Sequence, residues 1–393
     1  MFVAQMVTMI GFSSIFPFLP LYVESLGSVS RLSTELLAGL VFSGQAFTMM
    51  IASPIWGALA DRWGPKLMVE RAMFGGAVIL GLMAFVRSAE ELVLLRAVQG
   101  MVTGTIGAAN ALVAATVPRK QVGYAMGLMQ VGMGIGLGLG PVIGGAVADA
   151  FGYRPAFYFT SALLGLAGII VFLGVKETVA PSGSPPDSPP GIFSEWPRLL
   201  STPGVVMVYL LRFINQTGRM LFIPILPLFI LILIDSSARV NSFTGLVIGI
   251  SAAATATFAV FLGRWGDRVG HRQILIACSL LCCLFFLLQA IAQSGWQFLV
   301  LQVFSGAALG GIVPSISALL ANYSRQGEEG AIYGLDNSIV SGARVVGPML
   351  GVSVAMWLGL RAVFVTAALL YLAAALLSVM GLSRIPARGQ KHT

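Results

Sequence analysis

Along this chain the charged positions come in small groups, and the stretches between them are apolar all round. Twelve of these stretches are long enough to cross roughly 30 Å of hydrocarbon. They fall at about 1–23, 35–60, 67–86, 91–115, 122–148, 154–175, 204–234, 242–262, 273–292, 296–321, 331–357 and 361–381. None shows the alternation of a strand, and lipid tolerates no unpaired backbone, so each is predicted to be a helix. The expected fold class is an all-α membrane protein with twelve transmembrane helices. The first stretch starts at Met1 with neither a charged segment before it nor a small-residue cleavage site. That predicts a retained helix with a short or missing cytoplasmic arm.

The polar punctuation repeats. Slid by 206 or 207 positions, Gly57-Ala-Leu-Ala-Asp61-Arg62-Trp-Gly64-Pro-Lys66 falls on Gly263-Arg-Trp-Gly-Asp267-Arg268-Val-Gly270-His-Arg272. The same shift lays Pro17 and Pro20 on Pro224 and Pro227, Gly100 on Gly306, Gly123 on Gly330, Gly140-Pro141 on Gly347-Pro348, and Arg154 on Arg361. A long fixed period inside apolar segments is the mark of duplicated membrane halves. Two pseudo-symmetric six-helix bundles are therefore expected, at 1–175 and 204–381. Between them, 176–203 is rich in Pro, Ser and Gly; it has nothing to bury and reads as a semi-rigid cytoplasmic linker. The segment 382–393 is read as a cytoplasmic tail.

Composition narrows the class. With 393 residues, 57% hydrophobic and 10% charged, and a mean hydropathy of +0.90, the chain carries more apolar surface than a water-soluble core can hide. The net charge of +8 does not point to nucleic acid, because the basic residues form no long run or helix face. With the Asp61 loop placed inside, fourteen Lys and Arg lie on the cytoplasmic side. Five lie outside (Arg31, Arg87, Arg154, Arg239, Arg361) and four within spans (Arg96, Arg212, Arg219, Arg344). The positive-inside rule then puts both termini in the cytoplasm of a multi-pass protein of the cell membrane. Cys278, Cys282 and Cys283 share one apolar stretch and read as packing. Two histidines supply no metal site or enzymatic constellation, and no cofactor is expected.

The duplicated loop has a physical logic. Gly57, Gly64, Gly263 and Gly270 permit tight turns and close helix approach. Asp61 and Asp267 place an acid where Arg62, Lys66, Arg268 and Arg272, or a helix N-terminus, can hold it. This loop resembles the G-x-L-a-D-R-x-G-R-K hallmark of the major facilitator superfamily, in which it is held to stabilise the outward-open state. The second copy departs from the pattern, with Trp265-Gly266 where the first has Leu59-Ala60. Arg96-Ala-Val-Gln99-Gly100 resembles the superfamily's R-x-x-q-G pattern. An arginine in mid-hydrocarbon costs about 2.5–3.5 kcal/mol, so Arg96 should face protein or a wet cavity and have a partner. The fifth span is glycine-rich from Gly132 to Gly145. Such glycines cost about 1 kcal/mol each in a soluble helix but let membrane helices touch. Gly136 and the Gly140-Pro141-x-x-Gly144-Gly145 run resemble the motif of the twelve-span drug:proton antiporters. The resemblance covers nearly the whole chain. It implies a transporter whose two halves rock about a central cavity lined by spans 1, 2, 4, 5, 7, 8, 10 and 11.

The charges inside the second half add to that picture. Arg212 and Arg219 are seven residues apart, so they lie on one helix face about 10 Å apart, with Asn215 and Gln216 between them. Span 11 carries Asp336, Asn337 and Arg344. Glu24, Glu35 and Asp149 lie near the outer ends of their spans, which leaves four intramembrane arginines against one acid. The family's exporters of lipophilic cations usually keep an acid inside the first half; its absence here favours anionic or amphiphilic substrates. Burial disfavours a charged Asp336 and a nearby cation restores it. Arg344, about 12 Å along the same helix, is too far, so Arg212 or Arg219 is the expected partner, and the pair is expected to exchange the coupled proton. The resulting expectation is a monomeric, proton-coupled exporter of small hydrophobic or amphiphilic compounds, with substrate, protons and lipid bilayer as its partners. The alternative is an exporter or flippase of an anionic metabolite or lipid.

Overall fold

The computed structural model describes residues 1–30, 32–117, 121–175, 204–234, 239–323 and 329–381. The expected linker and tail, and the side chains of Asp61 and Arg62, lie outside the described residues. The regular elements are helices: α1 (Phe2–Ser14), α2 (Leu19–Leu26), α3 (Thr34–Trp63), α4 (Pro65–Met83), α5 (Ala89–Val102), α6 (Thr105–Thr116), α7 (Val122–Phe151), α8 (Tyr153–Gly174), α9 (Val205–Leu221), α10 (Leu226–Leu233), α11 (Val240–Val269), α12 (His271–Ala290), α13 (Gly295–Tyr323), α14 (Glu329–Leu358) and α15 (Leu360–Gly381). The pairs α1/α2, α5/α6 and α9/α10 each make one crossing, which gives twelve crossings in two six-helix bundles.

Eight of these helices are long and apolar enough to span a membrane alone, and two bent pairs bring the number to ten. The other two crossings are α4, which carries Lys66, Glu70 and Arg71, and the α5/α6 pair, which carries Glu90, Glu91 and Arg96. α4 packs against α8 and α5 against α3. Arg96 is buried, whereas Lys66, Glu70 and Arg71 lie in the first two turns of α4 and Glu90 and Glu91 in the first turn of α5.

Duplication is visible in the backbone. α1/α2 bends by 42° and α9/α10 by 46°, at Pro17 and Pro20 and at their counterparts Pro224 and Pro227. A proline there offers no N–H and clashes with the preceding turn. The corners Gly64 and Gly270 take φ of +88° and +104°, a left-handed conformation that glycine tolerates and other residues rarely adopt.

The fifth-span glycines serve two neighbours. Gly136, Gly140 and Gly144, four residues apart, leave room for α1: a Cβ on them would meet Met9, Ser13 and Ser14 respectively. Gly145 and Pro141 face α11, where Asn241 and Gly245 lie against them. One glycine-rich helix thus packs inside its own bundle and across to the other.

The bundles meet through α7 with α11 and α3 with α14. On the first seam, Asp149 accepts hydrogen bonds from Asn241 N (3.3 Å), Asn241 Nδ2 (2.7 Å) and Ser242 N (2.6 Å). The seam continues through Gly145 and Pro141 to Gly138 against Gly249. On the second seam, Ser33 reaches Met356 Sδ, Gly39 lies against Val352, and Ser43 Oγ donates to Val345 O at 2.7 Å. All these contacts lie toward the rim that carries Ser33 and Asp149. Gly44, next to Ser43, and Gly134, one turn before Gly138, have open space beside them. The cavity beside the charged residues is the recess between α9 and α13.

Candidate functional site

The polar residues of α9 recur at Tyr209, Arg212, Asn215, Gln216 and Arg219, a helical stripe on an otherwise apolar segment. That stripe faces α14 and α13. α9 and α14 run parallel: Tyr209 Oη donates to Ile332 O at 3.0 Å, and further along Gly347 lies against Met220 and Gly351 against Leu221. Between these contacts Arg212 grips Asp336, with Nη2 donating to Oδ2 at 3.1 Å and Nε 3.0 Å from Oδ1. One charge-assisted hydrogen bond and a second close contact, which does not meet hydrogen-bond geometry, hold the guanidinium against the carboxylate. The side chains are 15% and 13% exposed, so the pair borders the cavity without being lost in water. Of the two partners open from sequence, the geometry selects Arg212.

Seven residues beyond Arg212, Arg219 stands level with Arg344 on the parallel neighbour, bracketed by the Arg212–Asp336 pair and the Met220–Gly347 contact. Arg344 is exposed and lies within electrostatic reach of Arg219 and Arg212. Neither Arg219 nor Arg344 has a hydrogen-bond acceptor or acid partner among the described residues. The adjoining recess is lined by Arg212, Asn215, Gln216 and Arg219 of α9 and by Leu309, Ile312 and Val313 of α13. Asn215 is tied locally, Nδ2 donating to Leu211 O at 2.7 Å, and Asn337 is exposed beside the ion pair.

Arg96 and Gln99 are elsewhere. Both are buried between α5 and α3, where Arg96 Nε donates to Val41 O (3.2 Å) and Nη1 to Gln99 Oε1 (2.6 Å). In this conformation they do not line the cavity, and the partners of Arg96 are neutral.

At the duplicated loops the described side chains act within their own half. Lys66 Nζ donates to Phe172 O at 3.2 Å, at the C-terminal end of α8. Arg272, its counterpart, donates to Ser378 O (3.2 Å) and Val379 O (2.8 Å) near the end of α15. Each basic residue thus satisfies carbonyls that a helix end leaves open. Asp267 is mostly exposed and meets His271 at 3.1 Å, and Arg268 is exposed. The space beside Gly57 is empty, and Gly263 touches only Pro314. Sequence reasoning missed the inter-bundle cap made by Asp149. The available signal was an acid near the end of span 5 and an Asn-Ser pair opening span 8.

A family model described as "Major Facilitator Superfamily" matches residues 1–211 and again 208–393. "Multidrug resistance protein MdtG" of Dickeya zeae (strain Ech586) is 35% identical, over 95% of this chain and 91% of that protein. The MdtG of Serratia proteamaculans (strain 568) is 35% identical over 98% and 93%. Among solved structures, a bacterial homologue of the human lysosomal transporter Spinster, in an inward-facing, occupied conformation, superposes with a TM-score of 0.78 at 14% identity, covering 98% of this chain and 96% of that one. The human organic anion transporter MFSD10 superposes with a TM-score of 0.67 at 21% identity, covering 96% and 97%.

Proposed function

The chain belongs to the major facilitator superfamily of membrane transporters, and from that premise we propose that it exports small hydrophobic or amphiphilic compounds in exchange for protons. Its similarity to the MdtG proteins supports a drug-like cargo. We place it in the cytoplasmic membrane with both termini inside, on the strength of its Lys and Arg distribution. The Gly64 and Gly270 corners are then cytoplasmic, and the rim that carries Ser33 and Asp149 faces outward. Substrate enters between the bundles, the halves rock, and the rim held by Asp149 opens to release it.

The observation that carries the reading is the half-buried Arg212–Asp336 pair at the cavity wall. A proton on Asp336 frees Arg212, and loss of the proton re-forms the pair, so the two conformations of the halves can differ in proton affinity. A conformational change is driven only by such differential affinity. The test is purified protein in liposomes with an imposed pH gradient and a fluorescent amphiphile. The cargo should move uphill against the proton flow and stop when a protonophore collapses the gradient. Gradient-independent equilibration would overturn the exchange.

A further inference from the structure

Exchange at Asp336 does not by itself part the outer rim. The first seam of that rim rests on an acid that its own half does not favour. Asp149 lies in the last turn of α7, where a helix ends in open carbonyls and its dipole disfavours a negative charge. α11 begins at Val240 with no side-chain cap of its own and no acid in its first turn. Asp149 answers both conditions: its carboxylate accepts from Asn241 N and Ser242 N, in the first turn of α11, and from Asn241 Nδ2. Those backbone N–H groups are the ones a capping side chain takes. The charge is thus held by the other bundle, and only while the rim is closed. The second seam has no such group among its described contacts. The counterpart of Asp149, 207 residues on, is Met356, whose thioether takes Ser33 Oγ at 3.6 Å, and that seam goes on through Gly39 with Val352 and Ser43 with Val345 O. A thioether and a backbone carbonyl do not titrate.

We propose that Asp149 is a proton-operated latch: a proton from the outer side neutralises its carboxylate, uncaps α11 and releases the first seam, so that acid outside favours the parted rim. The sign follows from which state holds the charge. The closed rim holds the carboxylate form with three donors, and the parted rim leaves it at the carbonyl end of α7. Closure is therefore strongest at higher pH and is lost as pH falls through the titration of Asp149, and parting in turn favours the proton. Asp149 is half-buried, so water reaches it from the rim. On the elements packed against this end of α7 the other titratable or charged groups are Tyr153 and Arg154, at the start of α8, and Arg239, just before α11. Tyr153 is within electrostatic reach of Asp149 and of the exposed Glu24 at the end of α2. The arginines keep their charge throughout the acid range and the tyrosine stays neutral, which leaves Glu24 as the one neighbour to control for. This proton is distinct from the one exchanged at Asp336: the rim must close again, and closing expels it to the side from which it came. The inference rests on the reading that this rim opens during transport.

The test places spin labels at Phe85→Cys and Ile291→Cys, counterparts just past the outer ends of α4 and α12. Both positions are exposed, and the three native cysteines are buried. Distances are measured on the purified full chain in lipid nanodiscs. The ratio of parted to closed rim should rise at least about 3-fold as pH falls from about 7.5 to 4.0. Asp149→Asn should be parted already at the upper pH and respond little, whereas Glu24→Gln and Asp336→Asn should keep the response. Asn241→Ala removes one donor and keeps the acid, so it should part more at the upper pH and respond less; it stays informative if Asp149→Asn misfolds. The proposal is overturned if the unmodified rim ignores pH, or if Asp149→Asn responds as the unmodified protein does, because the titrating group would then lie elsewhere. Uphill export in liposomes by a protein whose rim ignores pH would sink the latch and leave exchange at Asp336 standing. A rim that follows pH in a protein that never exports uphill would keep the latch and sink the exchange.

Discussion

Where the second half pairs Arg212 with Asp336, the first half has Gln5 and Met129, each 207 residues earlier, and both are buried. Arg219 and Arg344 likewise correspond to Phe12 and Leu137. The backbone devices are duplicated faithfully: the proline bends, the left-handed glycine corners, and the ties from Lys66 and Arg272 to their helix ends. The charges are not. The proposed mechanism accounts for this difference: rocking halves need similar geometry in both copies, whereas the proton-coupling chemistry is needed once, and the buried charges are concentrated on α9 and α14. The first half keeps its buried cation on α5, packed against α3 and away from the cavity.

The largest effect should come from the shared geometry. A Cβ at Gly144 would run into the backbone of Ser14, and one at Gly351 into the backbone of Leu221. Gly144→Ala and Gly351→Ala should therefore destabilise their halves comparably, by about 3 kcal/mol, seen as a loss of melting temperature in detergent. Gly134→Ala meets nothing and should be neutral or gain up to about 1 kcal/mol from helix propensity. Equal behaviour of all three would break the account of the glycine stripe.

The next effect separates the halves. Arg212→Gln strands the Asp336 carboxylate and should cost about 1–3 kcal/mol, below the value for a fully buried pair because both side chains keep some exposure. Adding Asp336→Asn should recover more than half of that loss. Gln5→Leu removes a buried amide that has no hydrogen-bond partner and should leave stability unchanged or raise it by about 1 kcal/mol. Similar losses in both halves would show that charge is not what distinguishes them.

Smaller still is the rim. Asp149→Ala removes three hydrogen bonds between the bundles and should shift the conformational equilibrium about 5- to 30-fold toward a parted rim. Spin labels at Phe151→Cys and Arg239→Cys would report a longer distance; an unchanged distribution would remove Asp149 from the rim. The smallest effects belong to Lys66→Ala and Arg272→Ala, about 0.5–1 kcal/mol each and equal within error.

Most of the fold could be read from the sequence because lipid enforces helices and the offset of 206 or 207 enforces two copies. What the apolar runs do not encode is rotation about each helix axis. Arg96 is visibly inside hydrocarbon, yet only the packed structure shows that it turns toward α3 and not the cavity. Arg212 and Arg219 share a helix face, so their spacing alone could not tell which of them meets Asp336; the relative register of α9 and α14 decides it. The sequence places Asp149 near the end of its span, but its role as an inter-bundle cap is not legible there, because two of its three hydrogen bonds come from backbone N–H groups of another bundle, which carry no residue signature.

The central claim, that exchange runs through the charged wall of the second half, is tested most directly by gradient-driven export in liposomes. Asp336→Asn and Gln5→Leu are measured side by side, each also assayed for downhill equilibration. The account predicts that Asp336→Asn loses uphill export while downhill movement stays within about twofold of the unmodified protein, and that Gln5→Leu retains both. Uphill export by Asp336→Asn at a near-normal rate would contradict it.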